Sequence, residues 1–202
     1  MGLENTRIPA SSDGARVSAP VGRAGTELVY VGFWRRLAAH LIDLAIVFPY
    51  AAIITRTAWN SKYGFIGSQV VGFIIGVLFN VYLVKRFGGS PGKLAMRMRK
   101  SKVDGSSVSY KEACIRYSVL FLIGLVTSAG LVTSALNMPD SEYAALTHDT
   151  RTRRLEELAP AWYPRLQVIG AIWVYSEFAV LLTNRKRRAL HDFMAGTVVI
   201  RA

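Results

Sequence analysis

GFWRRLAAHLIDLAIVFPYAAIIT, residues 32–55, is the stretch that decides the fold. Past Arg35 and Arg36 the segment from Leu37 to Thr55 is apolar, broken by His40 and Asp43. Hydrocarbon satisfies no backbone polar group, so a chain crosses it as a helix of about 20 mostly apolar residues. Three further segments meet that requirement: Gly64 to Val84, Tyr117 to Met138, and Leu166 to Thr183, the last short and carrying Glu177. The expected fold is therefore all-α, a polytopic transmembrane bundle of about four helices with a basic cytoplasmic loop. Pro49 removes a backbone donor from the first span and is expected to bend it.

Basic residues set the direction of the spans. The chain through Arg36 holds five Lys and Arg, the connection from Lys85 to Arg116 nine, and the segment from Arg185 five. The opposite side holds six: Arg56, Lys62, Arg151, Arg153, Arg154 and Arg165. The nineteen belong in the cytoplasm by the positive-inside rule, giving an N-in, C-in topology. Trp34, Tyr110 and Tyr117 fit the inner interface, and Trp59, Tyr63, Trp162 and Tyr163 the outer one. A net charge of +12 alone suggests nucleic acid. Several spanning runs make anionic lipid at the cytoplasmic face the simpler partner. Residues 1–30 are polar with no apolar run, so a flexible cytoplasmic tail without a cleavable signal peptide is expected ahead of a membrane domain over 31–202.

Ionisable groups in the bilayer cost a few kcal/mol or more each, so each needs a reason. Offsets of four and seven positions put Arg36, His40 and Asp43 within about 40° of one helix face. Antiparallel geometry brings Glu177 to the depth of Asp43, with Asn80 slightly shallower. Two readings stand. In one, Arg36, His40, Asp43, Asn80 and Glu177 are a structural network, with Arg36 neutralising Asp43. In the other, His40, Asp43 and Glu177 bind or relay protons or monovalent cations, since two carboxylates at one depth raise a pKa.

The second span repeats a small or polar residue every fourth position, Gly64, Ser68, Gly72, Gly76 and Asn80, which reads as a helix-packing face. Beyond it, Gly88-Gly89-Ser90-Pro91-Gly92-Lys93 lacks the earlier glycine and later hydroxyl of a phosphate-binding loop. Asp104-Gly105 lies between segments able to pair as a short hairpin. Ser109 and Glu112 have capping-box spacing and predict a helix start. One surface helix is expected over Ser141 to Leu158.

Three motifs carry a resemblance. Gly32-Phe33-Trp34-Arg35-Arg36 with Ala39 and Ile42-Asp43 comes first, and Phe87 to Lys93 with Asp104-Gly105 and Ser109 second. The third is Arg188-Ala189-Leu190-His191-Asp192 followed by Ala195-Gly196-Thr197-Val198-Val199. Together they resemble the RDD family of bacterial membrane proteins over roughly residues 31–200. Its one Arg and two Asp map onto Arg36, Asp43 and Asp192, and its motifs take in Gly88, Gly89, Gly92, Lys93, His191, Gly196 and Thr197. Ser90 stands where the family pattern has Thr. The resemblance implies a multi-pass protein of the bacterial inner membrane, and exchange of sodium or other monovalent cations for protons has been proposed for some members. The alternative is a non-transporting scaffold or accessory subunit that meets a partner membrane protein, another copy of itself or anionic lipid. For Asp192 itself, a helix cap or an ion pair with Arg187 or Arg188 stands beside a regulatory or ion-gating role.

No nucleophile motif, cofactor loop or zinc spacing is present in the sequence, so neither an enzyme nor a cofactor or metal is expected. The single cysteine, Cys114, excludes an intrachain disulfide.

Overall fold

The computed structural model describes residues 30–183 and 188–202. The tail through Val29 and the basic run Arg185 to Arg187 lie outside the described residues. Among the described residues four helices are long and apolar enough to cross a membrane: Phe33–Arg56, Lys62–Phe87, Tyr110–Asn137 and Tyr163–Thr183.

Helix α1 (Phe33–Thr57) runs through Pro49 and ends in a 3-10 turn, Ala58–Asn60. Ser61 then caps α2 (Lys62–Val77), its hydroxyl accepting from Gly64 N–H. The same span continues through a π-helical stretch, Leu78–Tyr82, into α3 (Leu83–Phe87). Gly88 terminates it at φ +84°, a left-handed conformation that suits glycine. Short α4 (Pro91–Ala95) and strand β1 (Met98–Lys102) follow. Helix α5 (Tyr110–Asn137) starts on the expected capping box, with Glu112 accepting from Ser109 N–H at 2.7 Å. At the far end stand α6 (Asp140–Ala145) and α7 (His148–Glu157). Helix α8 (Tyr163–Thr183) returns to α9 (Leu190–Met194) and β2 (Thr197–Arg201).

Large apolar side chains on the long helices face outward: Leu44, Phe48, Ile74, Ile172 and Leu182 are each more than 60% exposed. Such continuous apolar surface is what a lipid-facing bundle presents. Tight packing is concentrated at the two ends. Val31, Ala39, Met98 and Val199 form one core, Val81, Val84, Val108 and Ala113 another, and Phe65, Ala135, Met138, Tyr143 and Leu155 the one around α6 and α7. At the last, buried Arg151 donates to the carbonyls of Tyr143 (2.9 Å), Trp59 (2.6 Å) and Leu146 (2.5 Å). Its fork thereby ties α7 to the end of α6 and to the turn after α1.

Three local expectations change. The hairpin across Asp104-Gly105 is short, an antiparallel bridge of Ser101 with Ser107 and Lys102 N–H donating to the Ser106 carbonyl at 2.9 Å. The whole of β1 pairs instead with β2, antiparallel, Met98 opposite Arg201 and Lys102 opposite Thr197. The α-helical bundle thus carries a small two-stranded sheet. The expected outer helix is two helices, broken at Leu146 and Thr147 so that Tyr143 and Leu155 both turn inward.

The small-residue stripe also divides. A Cβ on Gly76 would collide with the Tyr117 hydroxyl, and Ser68 accepts from Trp59 Nε1 at 3.2 Å. Gly72 has open space around it, so it is not part of the packing face. Gly76→Leu is expected to destabilise the purified protein by about 1–3 kcal/mol, and Gly72→Leu to leave its melting temperature unchanged. Equal melting temperatures for the two variants would contradict this division.

Candidate functional site

The first turns of α1 point Arg36, His40 and Asp43 toward α4, α5, α8 and α9, but the acid–base pairing differs from the expected one. Arg36 Nη1 donates to Asp192 Oδ2 at 3.2 Å, and its Nε to the Val31 carbonyl at 3.3 Å. Asp43 lies two turns further along α1, where its carboxylate is held by the 88–93 segment: Ser90 Oγ donates at 2.6 Å and Gly92 N–H at 2.7 Å. One acid therefore serves as counter-ion and the other as a helix cap supplied from a different helix.

Asp192 is fully buried at the start of α9. Besides Arg36 it pairs with Arg116 of α5, accepts from Thr197 Oγ1 at 3.2 Å, and accepts from Ala189 N–H at 3.1 Å. Arg116 Nη1 also donates to Thr197 Oγ1 at 3.0 Å. One carboxylate thus joins α1, α5, α9 and β2. Two arginines from other spans pair with Asp192, while the expected partner Arg187 lies outside the described residues. Arg188 instead donates to the Asp192 and Thr197 carbonyls.

Glu177 makes the third acidic contact. Its Oε1 accepts from His191 N–H at 3.1 Å, and its Oε2 lies 2.5 Å from His191 Nδ1. That second contact requires a proton on one of the two atoms. Burial first, then Arg116, holds His191 well below the usual imidazole range. Asn80 does not join the group: its amide returns to the Gly76 carbonyl of its own helix at 3.0 Å.

Between α1, α5 and α8 lies a cavity of about 290 Å³. Arg36, His40, Lys93, Arg116, Glu177 and His191 supply its polar lining, with Trp173 among the apolar remainder. Phe33 and Phe178 meet edge to face across it, ring centroids 5.8 Å apart. Lys93 is buried and donates to Ser90 Oγ at 3.4 Å. Burial, then Arg116, pushes it down to about 8. Lys100 on β1 is buried behind it and is pushed well below the ordinary lysine range, again by burial first and Arg116 next.

Of the residues expected together, Arg36, His40 and Glu177 line the one cavity, whereas Asp43 stands apart from that lining, on the 88–93 segment. Sequence reasoning missed Arg116, Lys100, Trp173 and Ser90 as members. Arg116 is six residues inside α5, so its charge sits within a span and carried the signal that could have found it. Lys100 gave none, because alternation in so short a strand does not tell which face meets the bundle. The motif glycines take structural places: Gly88 at the left-handed end of α3, Gly89 against Lys93 Cβ, Gly92 against α1, and Gly196 at φ +64° before β2. Among the described residues no group of three or more metal-ligating side chains comes together.

The model of the RDD family matches residues 30–196, and the chain belongs to that family. No curated protein and no solved structure matches the chain. Family and apolar helices together make it a membrane protein.

Proposed function

We propose that this RDD-family membrane protein moves protons across the bilayer, with Glu177 and His191 as the pair that takes up and releases the proton. The supporting observation is the 2.5 Å contact of two titratable groups on the wall of a cavity between α1, α5 and α8. A carrier needs a buried group that changes protonation and a space through which the proton arrives. Asp43 and Asp192 are less suited, because their oxygens already hold the α4 turn and two guanidiniums.

Exchange against a monovalent cation in the same cavity draws less support. Sodium there would meet Arg36, Lys93 and Arg116 and gain one carboxylate. In this reading the cavity end faces the cytoplasm of a bacterial inner membrane, as the basic-residue bias expects. No enzymatic step is proposed.

Proteoliposomes with a trapped pH-sensitive dye test the proposal. Wild type is expected to dissipate an imposed proton gradient, and Glu177→Gln, which keeps the shape without the titrating proton, to fall to the leak of protein-free vesicles. Wild-type flux no faster than that leak would leave the scaffold reading in its place. So would unchanged flux in Glu177→Gln discard this carrier site.

A further inference from the structure

The cavity walls are richer in donors than in acceptors. Trp173 Nε1 is buried with no acceptor among the described residues. Lys93, 6% exposed, has one long hydrogen bond, 3.4 Å to Ser90 Oγ, for three ammonium hydrogens. A buried donor short of acceptors costs stability, so the Lys93 ammonium on the cavity wall points to an acceptor that enters the space. On the acceptor side, Glu177 Oε2 lies 2.5 Å from His191 Nδ1.

Charge points the same way. Among the described residues the cavity wall carries the cationic side chains Arg36, Lys93 and Arg116 and one carboxylate, Glu177, while Asp192 pairs with the two arginines. Lys93 has no carboxylate in ion-pair contact among the described residues. The volume of about 290 Å³ is at the small end of ligand cavities. Apart from the polar groups its wall is apolar, including Phe33, Leu120, Val174 and Phe178. Small volume, a buried lysine short of acceptors and apolar walls describe a monoanion with a short hydrocarbon tail better than a whole two-chain lipid.

We propose that the cavity binds an amphiphilic monocarboxylate, its head on Lys93 and its tail along Phe33, Leu120 and Phe178 beside the Trp173 ring, together with a proton on the Glu177–His191 pair. The proton half of this proposal rests on the carrier reading above, and the anion half does not. Coupling follows from electrostatics. An unprotonated Glu177 repels the entering carboxylate, so proton uptake and anion binding assist each other. The charged and titratable groups around Glu177 are His191 and Asp192 of α9, Arg116 of α5, Arg36 and His40 of α1, Lys93 of α4 and Lys100 of β1. Loss of the Lys93 charge above about 8 works in the same direction, weakening binding as pH rises.

Bromine quenches indole fluorescence on contact, so 8-bromooctanoate is the probe, added to the full chain in nanodiscs of zwitterionic lipid. The expected result is saturable quenching that is lost in Trp173→Phe and weakened about tenfold or more in Lys93→Met, the size of one charge-assisted hydrogen bond. If Lys93→Met does not insert, raising the pH from 7 to about 9 in Glu177→Gln removes the Lys93 charge without the Glu177 contribution and gives a weakening of the same order. Affinity falls with rising pH, and Glu177→Gln removes the Glu177 part of that slope while still binding the anion. Non-saturable quenching, alike in wild type and Trp173→Phe, means partition into the bilayer and overturns the proposal. Saturable quenching by 8-bromooctyltrimethylammonium instead of the carboxylate overturns it in favour of a cation site. Trp173-dependent quenching by bromoacyl phosphatidylglycerol that octanoate does not relieve assigns the space to a lipid headgroup and overturns the monocarboxylate. Anion binding with an unchanged slope in Glu177→Gln refutes the proton pair alone. Proton flux without anion binding refutes the anion alone.

Discussion

Replacing Asp192 with alanine lowers the stability of the folded protein by about 3–5 kcal/mol, the cost of leaving buried charge without its counter-ion. The carboxylate is fully buried and is shared by Arg36 and Arg116, whose own side chains are only 7% and 9% exposed. Neither guanidinium deprotonates to escape the loss. The variant also removes the acceptor for Ala189 N–H and Thr197 Oγ1, which hold the start of α9 and of β2. Thermal unfolding of the purified protein in micelles checks this, with exposed Asp149→Ala as the control. Matching melting temperatures for the two variants would rule out the network as a stabilising element. Combining Arg36→Met with Asp192→Leu is expected to cost less than the two changes summed, whereas Arg36→Met with Asp43→Asn is expected to add.

Gly92→Ala is expected to cost about 3 kcal/mol, the upper end for overpacking, and to detach α4 from α1. A Cβ at this position would overlap the Ala39 carbonyl and come within 2.9 Å of Asp43 Oδ1. The carbonyl belongs to the backbone of a long helix and has no rotamer by which to yield. Separating the elements also breaks the 2.7 Å bond from Gly92 N–H to Asp43 and leaves that half-buried acid without its donors. Faster proteolysis between residues 88 and 97, with a lowered melting temperature, is the expected readout. Gly72→Ala, where the space is open, is the matched control. A Gly92→Ala protein as protease-resistant as Gly72→Ala would show that the contact does not hold α4 in place.

Much of the architecture is local, and local patterns carried it. The 37–55 segment reads as a span because hydrocarbon forces a helix of about 20 apolar residues whatever the neighbours are. The start of α5 follows from Ser109 and Glu112, three residues apart. Spacing alone also put Arg36, His40 and Asp43 on one side of α1. Spacing did not assign their partners. Asp43 seemed the natural mate of Arg36 because both lie on one helix, yet seven positions along α1 is about 10 Å, and Asp192 reaches the guanidinium from 156 residues away.

The sequence by itself determined four membrane-length helices, the family and the stretch of α1 that faces the site. Only the tertiary structure decided how each helix is rotated and which groups meet at its end. In lipid, an apolar side chain gains as much from a hydrocarbon tail as from another helix. Gly72 and Gly76 are therefore indistinguishable on paper, and a Tyr117 hydroxyl on another helix separates them. The same holds for β1 and β2, which pair across about half the chain, and for Asp192, whose role came from the two arginines that converge on it. Long-range charge and hydrogen-bond pairing fixes those choices, and such pairing has no period that a single sequence can display.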